Sequence, residues 1–268
     1  MKNKNPFLTS PQFVKFCVIS GFTIWMLTII LGILVGQLDH AGPGFDLAGF
    51  NPLINYISDL GSLRYTPLPV ILNFGMMATG LLMTPVSFAI KNILIGDGSK
   101  IWRKIMAYIT LVILLIGMAG FFFTGVLSED TGAMFDQLFP LPENYPWHDI
   151  VADFAFIFFM SGGILVASQF ILYKNILYNE IGVKNPRLVR IILIIITWVL
   201  TPTFFGFFYS VPYFDAVDTP FWGYLDAWQW SPLWEWLLML SIVASLFSVS
   251  FMILKPLNRK ILKENEKS

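Results

Sequence analysis

The chain has 268 residues, 56% of them hydrophobic and only 13% charged, and its formal net charge is zero. That balance excludes a soluble domain of this length and makes the bilayer the solvent to reason from. A single cysteine, Cys17, excludes an internal disulfide and any thiolate metal motif, and reads as a small buried apolar residue.

A membrane span needs roughly 20 apolar residues, because the hydrocarbon core is about 30 Å thick and a helix rises about 1.5 Å per residue. Six charge-free windows reach that length: Phe16 to Leu38, Tyr65 to Ile90, Ile105 to Ser128, Phe154 to Tyr173, Ile191 to Phe214 and Trp236 to Leu254. They predict an all-α fold, a polytopic six-transmembrane-helix bundle. Its spans fall at about 16–38, 66–90, 105–127, 151–173, 190–212 and 233–254, in one integral membrane domain covering 1–268. Barrel strands would alternate in polarity, and these runs are continuously apolar. The first window is too long for a signal-peptide core and lacks a small-residue cleavage site, so it reads as a retained span.

Of the 17 lysines and arginines, only Arg64 lies outside a set formed by the N-terminus, the segments around Lys91–Lys104 and Lys174–Arg190, and the tail from Lys255. This positive-inside bias predicts that both termini are cytoplasmic. Of the 17 aspartates and glutamates, only Asp97, Glu180, Glu264 and Glu266 fall on the basic side. The outer face is therefore expected to be a polar, acidic cap.

In chain order, the first span follows Ser10-Pro11 and carries Gly32-x-x-x-Gly36, a spacing that permits close packing. The first outer loop begins with turn chemistry at Asp39 to Gly44 and ends in the compact polar stretch Asn51 to Ser62. Asn55 to Ile57 could start a short helix that sets Ser58 and Asp59 near the bundle mouth. The second span contains Asn73, which needs a partner across the bundle, and Pro85, which favours a kink.

The next outer loop, Ser128 to Trp147, holds four acidic residues and Pro140, Pro142 and Pro146. It reads as too proline-rich for one helix and as a cap on the bundle. His148-Asp149-x-x-x-Asp153 opens the fourth span, with Asp149 and Asp153 one helical turn apart. Gly162, Gly163 and Ala167 form another small-residue stripe. The fifth span carries Thr201-Pro202-Thr203, where a threonine is expected to satisfy the backbone freed by the proline. The last outer loop, with Asp215, Asp218 and Asp226 among Tyr213, Trp222, Trp234 and Trp236, reads as an interfacial aromatic belt.

Polar groups at the bundle mouth are the site candidates. Ser58, Asp59, His148 and Asp153 are the candidates for chemistry: a histidine as general base, Asp59 as its orienter, and water or Ser58 as nucleophile toward a lipid ester. His40, Asp59, His148 and Asp153 are the candidates for a metal such as zinc or manganese, although no two of them have a familiar ligand spacing. The alternative is a hydrogen-bonded network that ties the first outer loop to the start of the fourth span. No cofactor-binding motif is present, and whether any cofactor is needed is left open.

The segment Tyr56-Ile57-Ser58-Asp59-Leu60-Gly61-Ser62, with Pro67 or Pro69 and then Asn73-Phe74-Gly75-Met76, resembles a first-loop signature. That signature belongs to the DRAM-type, Sfk-type and FGF-receptor-activating-protein membrane family and the related prokaryotic group called domain of unknown function 998. His148 is similar to a histidine that opens a later span there. The DRAM branch has Asp-Thr-Gly followed by Pro-Glu; Asp59-Leu60-Gly61 without that glutamate favours the prokaryotic group. The resemblance implies a lipid-linked role and carries over no catalytic residue.

Two functions are expected to compete. One is a non-enzymatic plasma-membrane protein that binds or organises lipid, or scaffolds a partner or a second copy of itself. The other is a membrane-embedded lipid hydrolase or transferase using the outer His/Asp cluster. No nucleic-acid partner is expected.

Overall fold

The computed structural model describes residues 10–37, 50, 55–96, 100–140, 146–173, 175–215 and 227–265. Among these the fold is all-helical: α1 (Pro11–Gly36), α2 (Val70–Ile95), α3 (Ile101–Val126), α4 (Glu129–Leu138), α5 (Trp147–Leu172), α6 (Pro186–Leu193), α7 (Thr201–Asp215) and α8 (Ala227–Asn265). A 3-10 turn at Ser58–Gly61 precedes α2, and π-helical turns lie at Ile176–Ile181 and Ile194–Leu200. Six helical stretches are long and apolar enough to cross a membrane, at Pro11–Gly36, Val70–Ile95, Ile101–Val126, Trp147–Leu172, Pro186–Ser210 and Pro232–Arg259.

The first four spanning helices have 26 residues each, or about 39 Å of helix. They begin or end several residues outside the charge-free windows, and among them only α1 has a side-chain N-cap. Ser10 accepts from Phe13 N–H ahead of Pro11, so α1 starts five residues before Phe16.

Sequential helices pack side by side: α1 on α2, α2 on α3, and α3 on α5. Helix α8 closes the bundle against α7, α1 and α5. The core is aromatic and aliphatic. Trp25 meets Phe121 edge-on with ring centroids 5.1 Å apart, and Phe121 meets Phe159 in the same way at 5.7 Å. A Cβ at Gly125 would lie 2.4 Å from the Asn73 carbonyl oxygen, which is how closely α3 approaches α2.

Gly32 and Gly36 do not receive a helix backbone. They seat Leu60 and Phe50 of the first loop, with a Cβ at Gly36 falling 2.7 Å from Phe50 Cβ. Phe50 N–H donates to the Gly36 carbonyl at 2.9 Å, which binds the loop to the end of α1. In the fifth span, Thr201 Oγ1 donates at 2.8 Å to the Ile196 carbonyl, which also accepts from Thr201 N–H at the end of the π turn. At the opposite end of the bundle from the polar loops, Arg259 donates to the Ile181 carbonyl at 2.8 Å and holds the end of α8 to the first π turn.

Candidate functional site

At the end of the bundle away from the basic segments, four elements converge: the 3-10 turn, α4, the first turns of α5, and the part of α8 around Glu235. Local sequence explains each. Ser128 caps α4, accepting from Thr131 N–H, and Glu129 and Asp130 occupy its first turn, where the helix dipole favours carboxylates. The prolines lie beyond Leu138, so a 10-residue helix fits where the sequence suggested none. Pro146 offers no side-chain cap to α5, and Asp136 of α4 replaces it, accepting from Trp147 N–H at 3.0 Å. Asp130 accepts from Ser62 Oγ at 2.9 Å and Leu63 N–H at 2.8 Å, joining α4 to the first loop.

The loop is also bound to α8. Glu235 is 6% exposed and accepts from Ile57 N–H at 2.7 Å. The neighbouring Trp236 indole donates to the Asn55 carbonyl at 3.1 Å. Trp236 is therefore a buried strut and not a belt residue, and Trp234 stacks on Phe207 with centroids 4.5 Å apart. Asn73 donates to the Gly61 carbonyl at 3.1 Å, while its own oxygen is buried without a partner.

Asp59 is 5% exposed. Its carboxylate accepts from Tyr56 N–H at 2.8 Å and from the Asn55 side chain, and it shares a hydrogen bond with Glu129. Burial, followed by the adjacent Glu129 charge, pushes Asp59 up to about 7. Burial likewise raises Glu129, which also takes a hydrogen bond from Ser58.

His148 is 6% exposed. Its Nδ1 donates to the Leu127 carbonyl at 2.7 Å, because a carbonyl can only accept. That fixes the tautomer and leaves Nε2 as the basic atom. The orienter of His148 is thus a backbone carbonyl, and Asp59 has its partners elsewhere. Asp153 accepts from the Tyr209 hydroxyl of α7.

These groups surround a cavity of about 430 Å³. Ser58, Glu129, His148, Asp149, Asp153 and Glu235 supply its polar lining. Tyr56, Phe156, Phe208 and Tyr209 supply aromatic wall. A small apolar space of about 30 Å³ adjoins it, sharing Ser58, His148, Ala152, Phe156 and Glu235 and reaching Leu72, Phe121 and Met239. Of the sequence candidates, Ser58, His148 and Asp153 meet at this cavity, and Asp59 stands behind Glu129. His40 lies outside the described residues. Among the described residues no group of three or more His, Cys, Asp or Glu is arranged to hold a metal ion, so Asp59, His148 and Asp153 do not form such a group by themselves.

Sequence reasoning missed Glu235, Glu129 and Tyr209 as site residues. Glu235 sits one residue before the last charge-free window and looked like its flank. A carboxylate that close to a span, with apolar residues on both sides, was the available signal.

The fold and site define an integral membrane protein, a six-span helical bundle with an acidic, aromatic-walled cavity at one end. The chain belongs to the family described as Protein of unknown function (DUF998), whose match covers residues 43–252. Neither a curated protein nor a solved structure matches the chain.

Proposed function

We propose that this protein binds an amphiphile, a membrane lipid, with the polar head in the 430 Å³ cavity and apolar chain directed between the helices. The observation that carries this reading is the shared wall between a polar cavity and an apolar space. Ligand sites are concave, partly apolar and furnished with a few placed polar groups, and here the apolar part points into the bundle core. The Tyr56–Ser62 segment extends the reading toward the lipid-linked DRAM and Sfk group, and toward residence in the plasma membrane with the cavity facing out. The test is extraction of lipid from protein purified in mild detergent, followed by mass spectrometry. Wild type should retain stoichiometric lipid, and Ala152→Trp, which fills the shared wall, should lose it while melting normally. Equal lipid in both would contradict the reading.

One observation favours a second reading, a hydrolase or transferase acting on a lipid headgroup. His148 has a fixed tautomer with Nε2 available, and Ser58 lines the same cavity. Headgroup turnover that disappears in folded His148→Ala and Ser58→Ala would replace binding by catalysis.

A further inference from the structure

We infer that the cavity recognises an organic ammonium group, the protonated or quaternary amine of an amphiphile's head. This deepens the amphiphile reading and rests on it. Among the described residues the lining holds four carboxyl side chains, Glu129, Asp149, Asp153 and Glu235, and no lysine or arginine. Two side chains more than nine-tenths buried bring polar atoms to it that lack hydrogen-bond partners among the described residues. Glu235 has only Oε2 engaged, by Ile57 N–H, and His148 only Nδ1, by the Leu127 carbonyl. Glu235 and His148 line the cavity, and their remaining polar atoms are the ones open to a ligand's donors.

The remaining wall discriminates between kinds of cation. A small inorganic ion needs several ligands converging at about 2–2.6 Å, and no such group is present among the described residues. A volume of about 430 Å³ also far exceeds one ion. An ammonium group carries its charge on an apolar body and is attracted both to carboxylates and to aromatic faces. Tyr56, Phe156, Phe208 and Tyr209 provide such faces around the acidic lining. Four carboxyl side chains in the lining disfavour an anionic head. A bound ammonium group favours the ionised form of these carboxyls, and a neutral head does not.

The test uses the full chain in nanodiscs and in detergent, read by native mass spectrometry. Equal amounts of chain-matched phosphatidylethanolamine and phosphatidylglycerol are offered, and tetramethylammonium chloride is added in a separate arm. The expected result is at least roughly tenfold preference for the ammonium-headed lipid, as removal of a buried charge pair commonly costs that much or more. The preference should collapse in Glu235→Gln, whose amide oxygen still accepts from Ile57 N–H, and in Asp149→Asn. Equal binding of the two lipids, preference for phosphatidylglycerol, or a preference unchanged in both variants would overturn the inference. Tetramethylammonium that binds as tightly as the lipid and is lost in the variants would sustain ammonium recognition and overturn the amphiphile reading. Lipid bound without headgroup preference would do the reverse.

Discussion

Asp59 of the 3-10 turn and Glu129 of the first turn of α4 hydrogen-bond to each other through their carboxyl groups. Such a bond needs a proton on one of them. The pair faces further acids: Glu235 from α8, Asp130 on α4 and Asp149 on α5 all lie near one or both members. Their charges disfavour ionisation, as burial does.

A stability profile follows from that proton. Asp59 is raised to about 7 in the folded chain, against about 3.9 when unfolded. The folded state then binds more protons than the unfolded state between these values, and stability falls as pH rises. The contribution is fully present below about pH 4 and is lost as pH rises toward about 7. Melting temperature of the detergent-solubilised chain should decline across that window, and Asp59→Asn should flatten the decline. A variant with the slope of wild type would contradict the shared proton.

Glu235 is expected to hold the first loop through one backbone bond. Glu235→Ala leaves the buried Ile57 N–H without an acceptor and should cost about 1–3 kcal/mol. Glu235→Gln keeps an acceptor and should cost much less. Denaturant unfolding of both variants, monitored by tryptophan fluorescence, separates this strut from a merely charged surface residue.

Helix contact should be sensitive at Gly125 and indifferent at Gly206. A Cβ at Gly125 meets the Asn73 carbonyl and Met77, so Gly125→Ala must push α3 away from α2. The expected cost is about 1–3 kcal/mol, as for other overpacked contacts. A Cβ at Gly206 meets nothing within 4 Å, and Gly206→Ala should be neutral or slightly stabilising. Thermal melts of the two variants side by side give the comparison.

Orientation follows from the basic residues and is checked by labelling. Cysteines at Arg64 and at Met134, both exposed at the cavity end, should react with an impermeant thiol reagent on intact cells. One at Lys100, exposed at the basic end, should react only after lysis. The native Cys17 is buried and should give little background. The opposite pattern would place the cavity in the cytoplasm.

The spans were legible in the sequence because membrane helices are long and apolar enough to stand out by composition alone. The opening of α5 by His148-Asp149 was legible too, since it follows from local chemistry, whereas Thr201 Oγ1 bonds the Ile196 carbonyl that Thr201 N–H already reaches and not a carbonyl freed by Pro202. Helix α4 was not foreseen. The prolines of its loop cluster after Leu138, and their count obscured a proline-free stretch with a serine cap. The acidic site was only half legible. Ser58, His148 and Asp153 sit near span ends and attract attention singly. The partners they face, Glu129, Glu235 and Tyr209, are set by tertiary packing. Asp59 was expected beside His148 and is found with Glu129, because the first turn of α4 packs against the 3-10 turn. No local pattern reports the bond from Ile57 to Glu235, whose partners are 178 residues apart.

The central claim is that the cavity between the 3-10 turn, α5 and α8 receives the head of an amphiphile. An experimental density map of the chain in nanodiscs containing phosphatidylethanolamine tests it directly. The expected map has a head group among Glu235, Asp149 and Tyr209, with its chain entering beside Ala152 and Phe156. A cavity holding only water, with ordered lipid confined to the outer surface of the bundle, would contradict the claim.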